Sequence, residues 1–134
     1  MSAAVEFTPA VLALLRERAG GRCEGCGRLA AHLEAHHRKF RSRGGLGTPE
    51  NGAMLCGWGN HTGCHGAAHG QGDYDKEWGW SLQSWQNPAE EPFVDLRGEV
   101  WNFLPDGTKV ALSEVPTVEL DPWTLTATAD PWSA

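Results

Sequence analysis

All four cysteines and all six histidines of this 134-residue chain lie between positions 23 and 69. Thiolates and imidazoles are the side chains that zinc and related divalent metals prefer as ligands. Their concentration in about a third of the chain is typical of metal binding rather than of core packing. This region therefore predicts at least one metal centre.

Cys23 and Cys26 predict a zinc knuckle. Two sulfur atoms separated by two residues can bind one tetrahedral ion, and Gly25 and Gly27 permit the tight turn that this requires. A redox dithiol is one competing interpretation, but it would be expected beside a βαβ pattern, which the sequence lacks. Two unrelated free thiols are the other alternative.

A second cysteine pair, Cys56 and Cys64, could complete the four zinc ligands. Seven residues separate these two cysteines, whereas a compact knuckle has two. The ion would then be held by a longer loop, and His61 within that loop could replace one cysteine. We predict structural Zn²⁺ bound by Cys23, Cys26, Cys56 and Cys64.

Three histidines, His36, His65 and His69, could form a second and open metal site. His65 and His69 are four residues apart, so a helix would place them on one face, with His36 on a facing strand. Three protein ligands leave positions for water and for a phosphate oxygen. His61 has the same spacing from His65, which leaves open whether His61 or His65 is the ligand, with His65 preferred.

His37 and Asn51 are the predicted catalytic residues. His37 follows His36 on a predicted strand, so its side chain would point to the opposite face and need not bind the metal. An unperturbed imidazole has a pKa near ~6.5 and suits a general base at neutral pH. The Asn51 amide can donate and accept hydrogen bonds, and could fix the loop that carries His37.

A basic loop broken by glycines follows the paired histidines. Four cations fall within six positions, and they are Arg38, Lys39, Arg41 and Arg43. Such a loop could follow a phosphate backbone without reading base edges. A solvated surface is the ordinary interpretation of a charge run, but the neighbouring open metal site favours DNA binding.

The metal-binding region is predicted to form strand, loop, strand and helix, over residues 31–37, 38–50, 51–55 and 62 to about 78. A helix with Thr8 as N-cap precedes this region and ends at Gly20 or Gly21. Four glycines weaken the second helix.

The region from Trp80 onward is predicted to be β-rich. WSLQSWQ (80–86) and PFVDL (92–96) are predicted strands, and residues 99–113 predict a hairpin that turns at Pro105-Asp106-Gly107. The fold class is therefore α+β. The predicted divisions are a metal-binding core at 1–79, a β-rich extension packed on the core at 80–113, and an extended or partly disordered tail at 114–134.

The net charge of −6 conceals an uneven distribution. Residues 1–72 carry 8 basic and 5 acidic groups, whereas residues 73–134 carry 3 basic and 12 acidic groups. The metal-binding half is thus the basic half, which permits a DNA partner. Arg16 interrupts the first apolar run, so neither a signal peptide nor a membrane span is expected, and a reducing cytoplasm is the expected location.

The motif HHRKFRSRGG…PENGAMLC…GCHGAAH resembles the HNH endonuclease family, in the form with a four-cysteine zinc site that is widespread among bacteriophage and prophage proteins. The resemblance implies a ββα-metal fold with a metal-binding histidine, a general-base histidine, a structural asparagine and two helix histidines that complete the metal site. By position these are His36, His37, Asn51, His65 and His69. It also implies nicking or cleavage of double-stranded DNA with Mg²⁺, Mn²⁺, Ni²⁺ or Zn²⁺, leaving a 5′-phosphate, and work beside a phage terminase in DNA packaging.

A non-catalytic zinc module that binds DNA or a protein is the alternative function. It would keep the four cysteines and the basic loop, but it would give His37 no role. His32 has no predicted role and is expected to be a surface histidine.

Overall fold

The computed structural model describes residues 4–59, 61–71 and 78–112. These residues form a small α+β fold with two α-helices and two small antiparallel sheets. In chain order the elements are α1 (Pro9–Ala19), β1 (Leu33–His37), β2 (Gly52–Cys56), α2 (Gly63–Gly66), β3 (Phe93–Val94), β4 (Val100–Phe103) and β5 (Lys109–Ala111). The predicted tail at 114–134 lies outside the described residues, and the division into domains stays a prediction.

Helix α1 forms as its capping residues predict. The Thr8 side chain accepts a hydrogen bond from the Val11 N–H, and Gly20 ends the helix in the left-handed conformation with φ of 62°. Leu15 and Ala19 of this helix are buried and pack against Met54 of β2. The helix therefore seals one side of the first sheet.

Strands β1 and β2 pair in antiparallel register, with His36 opposite Ala53 and His37 opposite Gly52. The connecting loop, predicted to be irregular, contains short 3₁₀ turns at Arg41–Arg43 and Pro49–Asn51. This pairing brings the end of β1 and the start of β2 together at the histidine pair.

Helix α2 is only four residues long and continues into a π-type turn at Ala67–Gln71. The sequence predicts a longer helix, from 62 to about 78, of which residues 72–77 lie outside the described part. Glycines at 63 and 66 account for the weak α-helical character, because glycine loses the most backbone entropy in a helix. π-type turns are frequent at functional sites.

The second sheet has the strand order β3-β4-β5. The predicted hairpin is confirmed: β4 and β5 pair across the turn that contains Asp106, whose carboxylate accepts a hydrogen bond from the Thr108 N–H (2.9 Å). The predicted strand at 80–86 is wrong, since it forms only an isolated bridge between Leu82 and Lys39. Trp80, Ser81 and Leu82 are all buried, so the segment lacks the two-faced pattern of a strand.

The main core joins both sheets. Its buried members are Cys23, Ala53, Leu55, Cys64, Ala68, Trp80, Phe93 and Phe103. The Trp80 and Phe93 rings stack at 5.6 Å between centroids, and the Phe93 and Phe103 rings stack at 4.8 Å. No helix in the described ranges is long and apolar enough to cross a membrane.

Candidate metal centres

The four cysteines form one group that can hold a metal ion. The sulfur atoms of Cys23, Cys26, Cys56 and Cys64 all lie within 4.8 Å of one another, and those of Cys26 and Cys56 are 4.0 Å apart. A tetrahedral zinc ion with Zn–S bonds of about 2.3 Å separates its sulfur ligands by about 3.8 Å. The four-cysteine group therefore fits zinc after small adjustments.

Three separate segments deliver the cysteines to this point. Cys23 and Cys26 lie in the turn after α1, Cys56 ends β2, and Cys64 is in α2. The tight turn depends on Gly25, since a Cβ atom there would lie 2.7 Å from the Trp80 ring. The four-cysteine group consequently links α1, the first sheet and α2.

Hydrogen bonds and charge in the four-cysteine group also suit a cation. The N–H groups of Cys26 and Cys56 donate to the Cys23 sulfur at 3.4 and 3.3 Å, as expected around a thiolate. The hydrogen bond from the Cys64 thiol lowers the pKa of Cys23 to about 4, although burial opposes this effect. The same hydrogen bond, burial and nearby thiolate charge raise the pKa of Cys64. A divalent cation would remove this repulsion and permit all four thiolates.

His36, His65 and His69 form a second group, with ligand nitrogens within 4.8 Å of one another. Their ring centroids are 5.1, 5.2 and 5.0 Å apart, which is close to an equilateral triangle. Metal–nitrogen bonds of about 2.1 Å place ring centroids about 4.5 Å apart at right angles and about 5.2 Å apart in tetrahedral geometry. The histidine group therefore also fits a divalent metal.

Two hydrogen bonds assign the ligand atoms of His36 and His65. His36 Nε2 lies 2.6 Å from the Trp80 carbonyl oxygen, which can only accept, so Nε2 carries the proton and Nδ1 is the free lone pair. His65 Nδ1 donates to a carboxylate oxygen of Glu34 at 2.9 Å, which leaves Nε2 free. Burial lowers the pKa of His36 to about 3 and also lowers the pKa of His69, which favours the neutral, metal-binding form of both rings.

Glu34 and His32, neither of which has a predicted role, belong to the surroundings of this site. One Glu34 oxygen accepts from His65 and the other lies 2.9 Å from His32 Nε2. A carboxylate behind a metal-binding histidine fixes its tautomer and orientation. The sequence does contain a signal for Glu34. Glu34 and His36 are two residues apart on β1, and alternate residues of a strand lie on the same face.

A cavity of about 980 Å³ opens beside the histidine group. It is lined by all three histidines of the group, by His37 and by Arg41, among others.

His37 occupies the cavity wall with its ring fixed on two sides. Its Nε2 donates to the Val5 carbonyl oxygen at 2.8 Å, and its ring stacks on Phe7 with centroids 4.2 Å apart. The proton on Nε2 leaves Nδ1 with a free lone pair. The N-terminal segment thus orients the predicted general base.

Asn51 is fully buried and ties the two ends of the basic loop. Its side-chain oxygen accepts from the Lys39 N–H at 2.7 Å, and its amide donates to the carbonyl oxygens of Lys39 and Leu46 at 3.1 and 2.8 Å. These contacts are of the kind expected for an asparagine that fixes the loop after His37.

Arg38 departs from the sequence prediction, because the structure buries it completely. Its guanidinium donates to backbone carbonyl oxygens of Gly79, Glu50, Pro88, Glu91 and Pro92. The prediction that Arg38 contacts DNA phosphate is therefore wrong. An arginine at this strand end satisfies carbonyl groups that would otherwise be buried without donors.

The other three basic residues differ in their surroundings. Arg41 is exposed, lines the cavity and pairs with the carboxylate of Glu6. Arg43 donates to the Ser81 hydroxyl and the Leu82 carbonyl oxygen at 3.1 and 3.0 Å, so one of its guanidinium nitrogens is used in contacts within the protein. Lys39 is half-buried and is not among the cavity-lining residues.

His61 is exposed and belongs to neither ligand group, which favours the assignment of Cys56 and Cys64 to one group and His65 to the other.

Comparison of the chain with protein-family models, curated proteins and solved structures finds no match. The geometry of the two candidate metal centres is therefore the basis for assigning a function.

Proposed function

We propose that this protein is a metal-dependent endonuclease of the HNH type that hydrolyses phosphodiester bonds in DNA. The observation that carries the proposal is the convergence of His36, His65, His69 and His37 on one open cavity. A structural metal site needs no fourth histidine beside it with an available lone pair. The order β1, β2, α2 is consistent with a ββα-metal core.

The histidine group would hold a divalent cation through His36 Nδ1, His65 Nε2 and a nitrogen of His69. Such a cation supplies Lewis-acid stabilisation of the charge that develops on the phosphate during hydrolysis. His37 would take a proton at Nδ1 from the attacking water, as the phosphorus–oxygen bond to the 3′-oxygen breaks. General-base catalysis of this kind is worth roughly 10²–10⁴-fold in rate.

DNA binding would depend on the local face around the cavity rather than on the net charge of −6. Arg41 is the exposed cation in the cavity wall, and its guanidinium pairs with the Glu6 carboxylate. A phosphate group could replace that carboxylate because both are anions that bind a guanidinium. Lys39 and Arg43 are candidates for secondary phosphate contacts. We also propose that a phage packaging protein is a partner of this chain.

A non-catalytic zinc module is the second candidate. The four-cysteine group supports it, since such a group can stabilise a small binding domain without any reaction. It leaves the histidine group and His37 unexplained.

Conversion of supercoiled plasmid by wild type and His37→Ala tests the two functions. Each protein is assayed with Mg²⁺, Mn²⁺, Ni²⁺ or chelator, after equal zinc content has been verified. We expect metal-dependent nicking or cleavage by wild type and a loss of about 10²-fold or more in His37→Ala, with DNA binding retained.

His61→Ala is the matched control, because His61 is exposed and outside both ligand groups. It should cut like wild type. DNA binding without cutting by wild type under every metal condition would instead favour the zinc module.

A further inference from the structure

Trp58 exposes 70% of its surface, which is unusual for a large aromatic side chain. It lies in the loop between Cys56 and Cys64. Its indole stacks on the His32 ring with centroids 3.6 Å apart and an angle of 5° between the planes. One face of the indole is thus supported by a flat ring, and the opposite face is available to a ligand.

Two features restrain the described part of this loop beside Trp58. The Trp58 N–H donates to the Thr62 hydroxyl at 2.8 Å. Gly57 has φ of 120°, and a Cβ atom there would lie 2.1 Å from the Thr62 carbonyl oxygen, so only glycine fits. The loop begins after Cys56 and ends before Cys64, and both are candidate zinc ligands.

Contacts connect the exposed indole to the histidine group. His32 beneath the indole contacts Glu34, and Glu34 accepts from His65 of the histidine group. Gly59, the next residue after Trp58, lines the cavity. Trp58 therefore adjoins the cavity through Gly59 and the histidine group through His32 and Glu34.

We propose that Trp58 stacks on an unpaired nucleobase close to the phosphate bound at the histidine group. This inference rests on the proposed function and adds a substrate preference to it. Every base has a π face, and stacking on an aromatic side chain is largely independent of sequence. Residues 57–63, the loop that carries Trp58, contain no acidic side chain.

The proposal defines a class of preferred substrate. In a regular duplex both faces of a base are covered by its neighbours, so stacking on Trp58 requires a base that is mismatched, flipped out or single-stranded. The expected substrate is DNA with an unpaired nucleotide beside the scissile phosphate.

Fluorescence of 2-aminopurine placed in DNA tests this contact, because the probe is quenched when it stacks. The zinc-loaded protein carries His37→Ala to prevent cleavage, and the probe occupies an unpaired position or the matching position of a full duplex. We compare Trp58→Phe, which keeps a π face, with Trp58→Leu, which keeps only an apolar side chain. Trp85→Leu is the matched control, since Trp85 is 80% exposed but neither it nor its sequence neighbours line the cavity, whereas Gly59 beside Trp58 does.

Trp58→Leu should bind the unpaired substrate about 10-fold more weakly and lose the quenching, whereas Trp58→Phe should keep most of both. Affinity for the full duplex and the behaviour of Trp85→Leu should not change. Unchanged affinity and quenching in Trp58→Leu would overturn the proposal and leave a protein-docking surface as the explanation of the exposed indole. An equal loss on both substrates would also overturn it.

The failure of this inference can be distinguished from failure of the proposed function. Binding and quenching are measured without cleavage, so an inactive wild type counts against the nuclease alone. An active wild type with unchanged Trp58→Leu binding counts against stacking alone.

Discussion

Glu34 orients two histidines with one carboxylate. Burial tends to raise its pKa, but hydrogen bonds from His65 and His32 outweigh burial and lower the pKa of Glu34 to about 2. The carboxylate is therefore ionised at neutral pH and accepts from His65 Nδ1. This hydrogen bond keeps Nε2 of His65 free for a metal ion.

Replacement of this carboxylate should weaken metal binding at the histidine group only. We expect Glu34→Ala to lower Mn²⁺ or Ni²⁺ affinity about 10- to 100-fold, since the His65 tautomer is no longer fixed. Calorimetric titration of the zinc-loaded protein measures the change, and Glu17→Ala on the exposed side of α1 is the control. A simultaneous loss of zinc would contradict a role confined to the histidine group.

Arg41 is the basic residue whose position best suits a phosphate contact. We expect Arg41→Gln to weaken binding to all DNA sequences and to reduce the slope of log affinity against log salt by about 1. Glu6→Gln should have the opposite effect, because it removes the carboxylate that pairs with Arg41. Fluorescence anisotropy at several salt concentrations measures both changes.

Arg16→Gln supplies the charge-matched control for Arg41→Gln. Arg16 is exposed on α1 and does not line the cavity. An equal effect of the two substitutions would show that net charge, rather than position, controls DNA binding.

At the scale of elements, Arg38 holds β1 to the segment at 79–92. Its guanidinium donates to carbonyl groups of that segment and to the Glu50 carbonyl before β2, and the ring of Phe103 lies 5.3 Å from it. Arg38 consequently connects the second sheet to β1, the strand that carries His36 of the histidine group. The same segment supplies the Trp80 carbonyl that assigns the His36 proton.

Loss of this connection should destabilise the fold. We expect Arg38→Met to lower the free energy of unfolding by about 3 kcal/mol or more, because several buried carbonyl groups would lose their donor. Chemical denaturation measures the loss, and Arg41→Gln should leave stability within about 0.5 kcal/mol of wild type. Wild-type stability in Arg38→Met would contradict the structural role.

At the scale of the whole molecule, the four-cysteine group joins the turn after α1, the end of β2 and α2. The described fold is small, and its core contains Cys23 and Cys64 themselves. Small domains of this kind often depend on a bound metal for stability. The histidine group, by contrast, lies beside the cavity rather than within the core.

Cys23→Ser should prevent folding, since structural zinc can contribute on the order of 10–16 kcal/mol in small zinc domains. Native mass spectrometry measures zinc content, and circular dichroism measures the thermal transition. His69→Ala should keep both the zinc and the transition while losing the second metal. A Cys23→Ser protein with normal zinc content and melting would contradict the structural assignment.

Features that depend on residues close in sequence could be predicted from the sequence. The Thr8 cap and Gly20 predict α1, and the turn residues near Asp106 predict the hairpin, because local backbone preferences decide both. The cysteine and histidine spacings likewise indicated the two ligand groups, since a metal requires several soft ligands at one point.

Only the tertiary structure decided which polar side chains are buried and what they contact. Arg38 has the sequence context of a surface cation, yet it is buried by a segment about 40 to 50 residues later in the chain. Glu34 and His32 acquire their partners in the same way, from α2 and from the loop that carries Trp58. Such contacts bring distant segments together, and local sequence patterns do not encode the partner of a polar group.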